Sequence, residues 1–330
     1  MYMTIRRVLS MPLIWASLLV PICFIIFMCC GSYSVDLHDL LDPSPRLLAV
    51  LKLRVLRLAC AFVVGGSLAV GGAACQAALR NPLAEPYILG VSGGASVGAA
   101  TAIICGLAII SEFFIPMFSL VGAVTALLLV LAISKRWASD TPASIALAGV
   151  VIGSMCSSLL MFMISMSNSH ELNGITWWLL GCLQPSGAFL LLLASGSLLA
   201  ATALFTILGR EVDAVTFGEE TAFSLGADPK KLSWILLGVS SLLAACSVAV
   251  SGIIGFVGLI TPHIARNLFG SRHRQLFPLC MLLGGIFMMS CDTLARSAFS
   301  TRELPVGVIT SFIGGPFFLW ILSRRRTWEG

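Results

Sequence analysis

Charge is what this sequence has least of. Asp, Glu, Lys and Arg make up only 11% of its 330 residues, against about 25% in a soluble domain, which excludes an ordinary water-soluble fold. No glycine is followed by lysine, so the G-x-x-x-x-G-K-[ST] cradle that holds phosphates in an ATPase is missing. The eleven cysteines stand singly in apolar runs, with Cys29-Cys30 the one close pair and no C-x-x-C or Cys/His group at zinc spacing. In such runs cysteine behaves as a small, soft hydrophobe. Neither disulfides nor a metal site is expected, and no cofactor. The apolar stretches also lack the several carboxylates that an ion-coupled carrier would place near mid-membrane.

What the chain does have is length in its apolar runs. It is 58% hydrophobic, with a mean hydropathy of +0.99. A membrane-crossing helix needs roughly 20 apolar residues, and windows of that kind recur about ten times. They lie near 11–30, 54–76, 87–110, 117–133, 141–164, 189–208, 232–250, 253–269, 276–291 and 306–322. The first is too long for a signal-peptide core and lacks a small-residue cleavage site, so it is read as a span. The fold class expected is all-α and polytopic, one transmembrane domain over 1–330 with a polar insert at about 210–231. Within that insert Glu219 to Leu225 suits a short surface helix. Gly226 suits its C-terminal cap, and Asp228-Pro229 suits the N-cap and first position of the next helix.

An even span count puts both termini on one side. With that side cytoplasmic, 14 basic residues fall inside and six outside, namely Arg46, Lys52, Arg54, Arg57, Arg296 and Arg302. The bias obeys the positive-inside rule. Topology accounts for most inside charges, with no nucleic-acid partner implied. The outside group is left over. Asp292 stands four residues before Arg296, a spacing that suits an ion pair at a membrane edge.

Glycine and proline break the apolar runs at two places. Residues 81–98 read NPLAEPYILGVSGGASVG and residues 252–266 read GIIGFVGLITPHIAR. Asn81-Pro82 and Glu85-Pro86 interrupt the chain between two spans, where freed backbone groups need protein or water partners. Glu85 is read as serving such donors in preference to carrying a proton. Gly90, Gly94 and Gly98 recur at every fourth residue, and Gly149 and Gly153 repeat the interval; on a helix each set shares one face and admits a neighbouring backbone. Pro262 should kink its span, with His263 beside it to serve a freed carbonyl.

Several of these stretches together resemble a known family. Gln76-x-x-x-Arg80-NPLAEPYILG, FGEETAFSLGA at 217–227, GFVGLITPHIAR at 255–266, DTLAR at 292–296 and ELPVGVITSFIGGPFFLWIL at 303–322 occur in this order. They look like the iron-chelate and cobalamin uptake permeases of bacterial ABC importers, and the likeness runs from the second span to the C-terminus. It implies a type II ABC importer permease in the bacterial inner membrane, not itself an enzyme. The implied partners are a second copy (a homodimer), two cytoplasmic ATPases, and a periplasmic or lipid-anchored substrate-binding protein. The implied cargo is an iron chelate, a ferric siderophore first, with cobalamin or haem as the alternative. An ion-coupled secondary transporter is the reading from another class.

The resemblance also implies roles for residues. The cytoplasmic coupling segment falls on Thr216, Phe217, Gly218, Glu219, Glu220, Phe223, Leu225, Gly226 and Asp228, seated in a cleft of the ATPase. Arg54, Arg57 and Arg296 fall where the family meets its binding protein, although the R-L-P-R of the family reads Arg54-Val55-Leu56-Arg57 here. Thr141, Pro142, Ala143 and Ser144 fall at the cytoplasmic gate. Asn81, Pro82, Gly90, Gly94, Gly98 and Pro262 are the expected packing and hinge positions.

Overall fold

The structure, a computed structural model, describes residues 2–31, 45–111, 113–137, 141–183, 187–216, 218–224, 226, 228–298 and 303–325. Among the described residues there are fourteen α-helices, one 3₁₀ turn and no strand. In chain order these are α1 (Tyr2–Cys29), α2 (Pro45–Ala78), the 3₁₀ turn (Pro86–Leu89), α3 (Val91–Ile104), α4 (Leu107–Ile110) and α5 (Phe114–Trp137). Next come α6 (Pro142–Met166), α7 (Ser169–Leu179), α8 (Ala188–Ile207), α9 (Gly209–Thr216) and α10 (Glu219–Ser224). The chain closes with α11 (Pro229–Ser251), α12 (Val257–Phe269), α13 (His273–Ser297) and α14 (Val306–Arg325). Six helices (α1, α5, α6, α8, α11 and α13) are long and apolar enough to cross a membrane, and α3 and α14 are shorter apolar helices. With α2 and α12 they account for the ten spans expected, so the all-α polytopic class holds.

Burial sorts the helices into an inner and an outer set. The apolar windows of α11 and α13 are 72% and 61% buried, whereas those of α1 and α6 are 6% and 17% buried. The inner half of α2 is buried from Val63 to Ala78 and packs against α13, α11 and α12. Small residues allow this closeness. A Cβ on Gly72 would overlap the Gly258 backbone on α12, and one on Gly65 would overlap Gly284 on α13. The same device joins α3 to α5, where Gly94 faces Gly122, and a Cβ on Gly98 would overlap the Phe118 carbonyl.

Two spans differ from the continuous helices that hydropathy suggests. Gly90 is not inside a helix: it takes φ 73° as the junction between the 3₁₀ turn and α3, and packs on Gly149 and Gly153 of α6. The three glycines therefore serve two neighbours and not one face. The eighth span begins late, because the chain leaves α11 through Gly252 (φ 68°) and α12 opens only after Phe256 (φ 69°). Positive φ is costly for a bulky side chain, so surrounding structure holds Phe256 there. The insert holds two helices where one was expected. α9 presents Val212, Ala214 and Val215 inward, and α10 follows it. Gly226 N–H bonds Phe223 O at 3.0 Å, and Asp228 caps α11 by accepting from Lys230 N and Lys231 N at 3.0 and 3.1 Å.

Candidate functional site

The two broken stretches meet. Pro262 has no N–H, so the carbonyl one turn earlier, at Gly258, loses its helical donor. Gln76 of α2 supplies one: its Nε2 donates to Gly258 O at 3.0 Å. Its Oε1 accepts from Arg266 Nη1 at 2.6 Å, so one amide repairs a helix and holds a guanidinium. His263, the residue expected to serve the freed carbonyl, places its Nε2 3.0 Å from Asn267 Nδ2. Glu85 does serve a backbone donor, accepting from Phe256 N at 2.9 Å. Tyr87 Oη donates to Ile254 O at 3.1 Å. The break before α3 is thus tied at two points to the break before α12. Asn81 closes its own turn, with Oδ1 accepting from Leu83 N at 2.9 Å, and Pro82 is exposed beside it.

The outer arginines form a network around one carboxylate. Asp292 is fully buried and accepts from Arg57 Nε at 2.7 Å and from Arg296 Nε at 2.9 Å. Arg57 Nη1 reaches Glu303 Oε2 at 2.7 Å, and Arg54 Nη1 donates to Met28 O at 2.9 Å. Arg54 and Arg296 are only 7% and 5% exposed. The structure turns these two inward, so of the three only Arg57, with Glu303, is positioned near an open surface. The i,i+4 pair of Asp292 and Arg296 is present, but Arg57 shares its carboxylate, which ties α2 to α13. Residues 32–44, between the first two spans, lie outside the described residues.

On the insert, Thr216 and Phe223 are exposed, Phe223 at 74%. The helix that carries this uncovered ring is six residues long. Glu219 and Glu220 open α10, and Gly218 (φ 128°) precedes them. Phe217 and Leu225 lie outside the described residues. At the start of α6, Thr141 and Ser144 form a reciprocal cap. Thr141 Oγ1 accepts from Ser144 N at 3.3 Å and Ser144 Oγ accepts from Thr141 N at 3.2 Å, with Pro142 at the first helical position. Ala143 is exposed on the same turn. The hydroxyls at the expected gate are therefore already engaged with the backbone.

Sequence reasoning missed Gln76 as a structural centre and missed the pair formed by His273 Nδ1 and Asp213 Oδ1 at 2.6 Å. A lone amide in an otherwise apolar span was the available signal for Gln76. Asp213 and His273 are 60 residues apart, and nothing local marks them as partners.

The model of the FecCD transport family matches residues 18–324. The chain belongs to this family. It is 40% identical over 280 residues to the ABC transporter permease protein YvrB of Bacillus subtilis, covering 84% of this chain and 79% of that one. It is 36% identical over 284 residues to the hemin transport system permease protein HmuU of Yersinia pestis, covering 84% and 83%. It is 32% identical over 317 residues to the vitamin B12 import system permease protein BtuC of Escherichia coli, covering 95% of each. An ABC transporter assigned to the metal-chelate type and solved in an inward-facing conformation superposes with a TM-score of 0.86 at 30% identity, over 96% of this chain and 99% of that one. This FecCD-family chain is thus a membrane-embedded permease of an ABC importer.

Proposed function

We propose that two copies of this permease enclose a pathway for a metal-chelate cargo, with a ferric siderophore as the first candidate and haem or cobalamin as the alternatives. The observation that carries the reading is α6. It is only 17% buried, and Ser154, Ser157 and Ser158 are exposed along it, each donating to the carbonyl four residues back. Lipid alone gives no reason for three hydroxyls on an uncovered helix, whereas a second copy and a polar conduit do. The exposed Phe312 and Leu319 of α14 offer a further apolar face for the partner copy.

In this reading two cytoplasmic ATPases dock at 216–228, with Phe223 as the anchor and Glu219 and Glu220 facing basic groups. A substrate-binding protein docks outside, where Arg57 and Glu303 are reachable while Arg54 and Arg296 hold the helix ends beneath them. Both termini are cytoplasmic, and Thr141 to Ser144 mark the inner gate, stiffened by its cap. The relatives named for hemin and vitamin B12, and the metal-chelate transporter, support a chelate cargo. The test is growth of a deletion strain on a ferric siderophore, haem or cobalamin as the limiting source. Loss of growth on one source, restored by the gene, assigns the cargo; unimpaired growth on all three overturns the proposal.

A further inference from the structure

Short α10 carries the exposed Phe223 and packs on α9 and on the start of α11. α9 is fastened more firmly, and to α13. Val212, Ala214 and Val215 are buried, and a Cβ on Gly209 would overlap the backbone of Arg274 at the start of α13. Asp213, between the buried positions, closes the joint. The first N–H groups of a helix have no partner within it. α13 opens on Arg272, whose side chain has no acceptor to offer them and makes no cap. The Asp213 carboxylate supplies an acceptor from another helix, taking the N–H of His273 at 3.0 Å. The same Oδ1 lies 2.6 Å from His273 Nδ1, and since a carboxylate only accepts, that nitrogen carries the proton. The imidazole is buried and leans on Phe277, with ring centroids 5.7 Å apart. On its other side, the Asp213 carbonyl accepts from Thr216 Oγ1 at 2.7 Å. Thr216 begins the segment proposed to meet the ATPases.

We propose that Asp213 and His273 are positioning residues for transport, forming the joint through which displacement of the insert reaches α13. That helix is 25 residues long, roughly 37 Å at about 1.5 Å per residue. It packs on α2 and carries Asp292 and Arg296 near its far end. A push absorbed within α9 would end as local bending. Passed through a capped and buried helix start, it moves a whole span, and helix shifts of about 1–2 Å suffice for such signals. The inference rests on the reading that the ATPases dock at 216–228, and adds the point where their motion enters the bundle. It does not depend on which cargo is carried.

The test uses the full-length permease assembled with its ATPases in lipid nanodiscs. The exposed Cys30 and Cys105 are replaced by serine, and Leu294→Cys, exposed near the outer end of α13, carries a nitroxide label in each copy. ATP should shift the distance between the two labels, read by pulsed electron spin resonance. Asp213→Ala should remove most of that shift while the ATPases stay bound and still hydrolyse ATP. Asp213→Asn keeps an acceptor for both donors and should restore most of the shift, which a folding defect would not. Glu211→Ala, exposed on the same helix, should leave it unchanged. Phe223→Ala separates the two readings, since it should release the ATPases. A full shift in Asp213→Ala, with Phe223→Ala impaired, overturns the joint and spares the docking assignment. A full shift in both variants overturns the docking assignment and the joint with it. The joint also falls if ATP does not move the labels in the parent chain, if Asp213→Asn recovers nothing, or if Glu211→Ala loses as much.

Discussion

Gln76 and Arg266 meet across two helices, amide oxygen to guanidinium at 2.6 Å, while the nitrogen of the same amide completes the carbonyl that Pro262 leaves open. The pairing explains why a polar side chain, 4% exposed, stands near the end of an apolar span. Replacing it with leucine keeps the volume roughly constant but strands a carbonyl and an arginine. Gln76→Leu should lower stability by about 1–3 kcal/mol for each unmet group. Melting of the purified protein checks this, and an unchanged midpoint would show that neither bond matters.

Glycine contacts give a paired test. Gly98→Val puts a branched side chain into the Phe118 backbone, and nothing flexible can move aside. A loss of about 1–3 kcal/mol or more is expected. A methyl group placed on Gly238 of α11 would meet nothing within 4 Å, so Gly238→Ala should be neutral or stabilising by roughly 0.5–1 kcal/mol. Similar melting points for both variants would contradict the packing argument.

Asp292 and Glu303 both bond Arg57, yet their removal should differ in consequence. Asp292 is 0% exposed and Glu303 is 57% exposed at the side chain. Asp292→Asn leaves two guanidinium groups without a buried counter-charge, a change on the order of 3–5 kcal/mol. Glu303→Gln removes a solvent-screened pair worth about 1 kcal/mol or less. Chemical denaturation of the two variants side by side separates them.

Docking outside should follow Arg57. Arg57→Glu should slow association with the binding protein at low salt, with the difference shrinking as ionic strength rises. A salt-independent defect would point to a distorted helix end and not to steering.

Docking inside should follow Phe223. Phe223→Ala leaves the fold untouched, because the ring is 74% exposed, but should cut ATP-driven uptake by about tenfold or more if the ring is an interface anchor. Transport assays on inserted protein decide, and normal uptake would remove Phe223 from the contact.

Much of this was legible beforehand because the bilayer constrains so strongly. An uncompensated backbone group cannot face hydrocarbon, so ten apolar windows had to be helices, and the cap at Asp228 followed from residue type. Gly90 misled because an i, i+4 interval looks alike whether its first member is inside a helix or ends one. Phe256 was illegible for a related reason: nothing in its identity calls for a positive φ, and only the carboxylate of Glu85 on its N–H shows what holds the turn. For the outer arginines the sequence showed the Asp292–Arg296 interval, but not that Arg57 shares the same carboxylate or that Arg54 is buried.

Hydrophobicity, proline and glycine, taken along the chain, determined that this is a bundle of membrane helices with two interrupted spans. These are properties of each segment in its solvent, and no neighbour is needed to read them. Folding in three dimensions decided which interruption repairs which, that Asp292 would gather arginines from two helices, and that Asp213 would be spent on His273. Apart from Asp292 with Arg296, four residues apart and legible in the sequence, those pairings join residues 60 to 235 positions apart. Contacts at that separation are fixed by shape and packing, which no local pattern encodes.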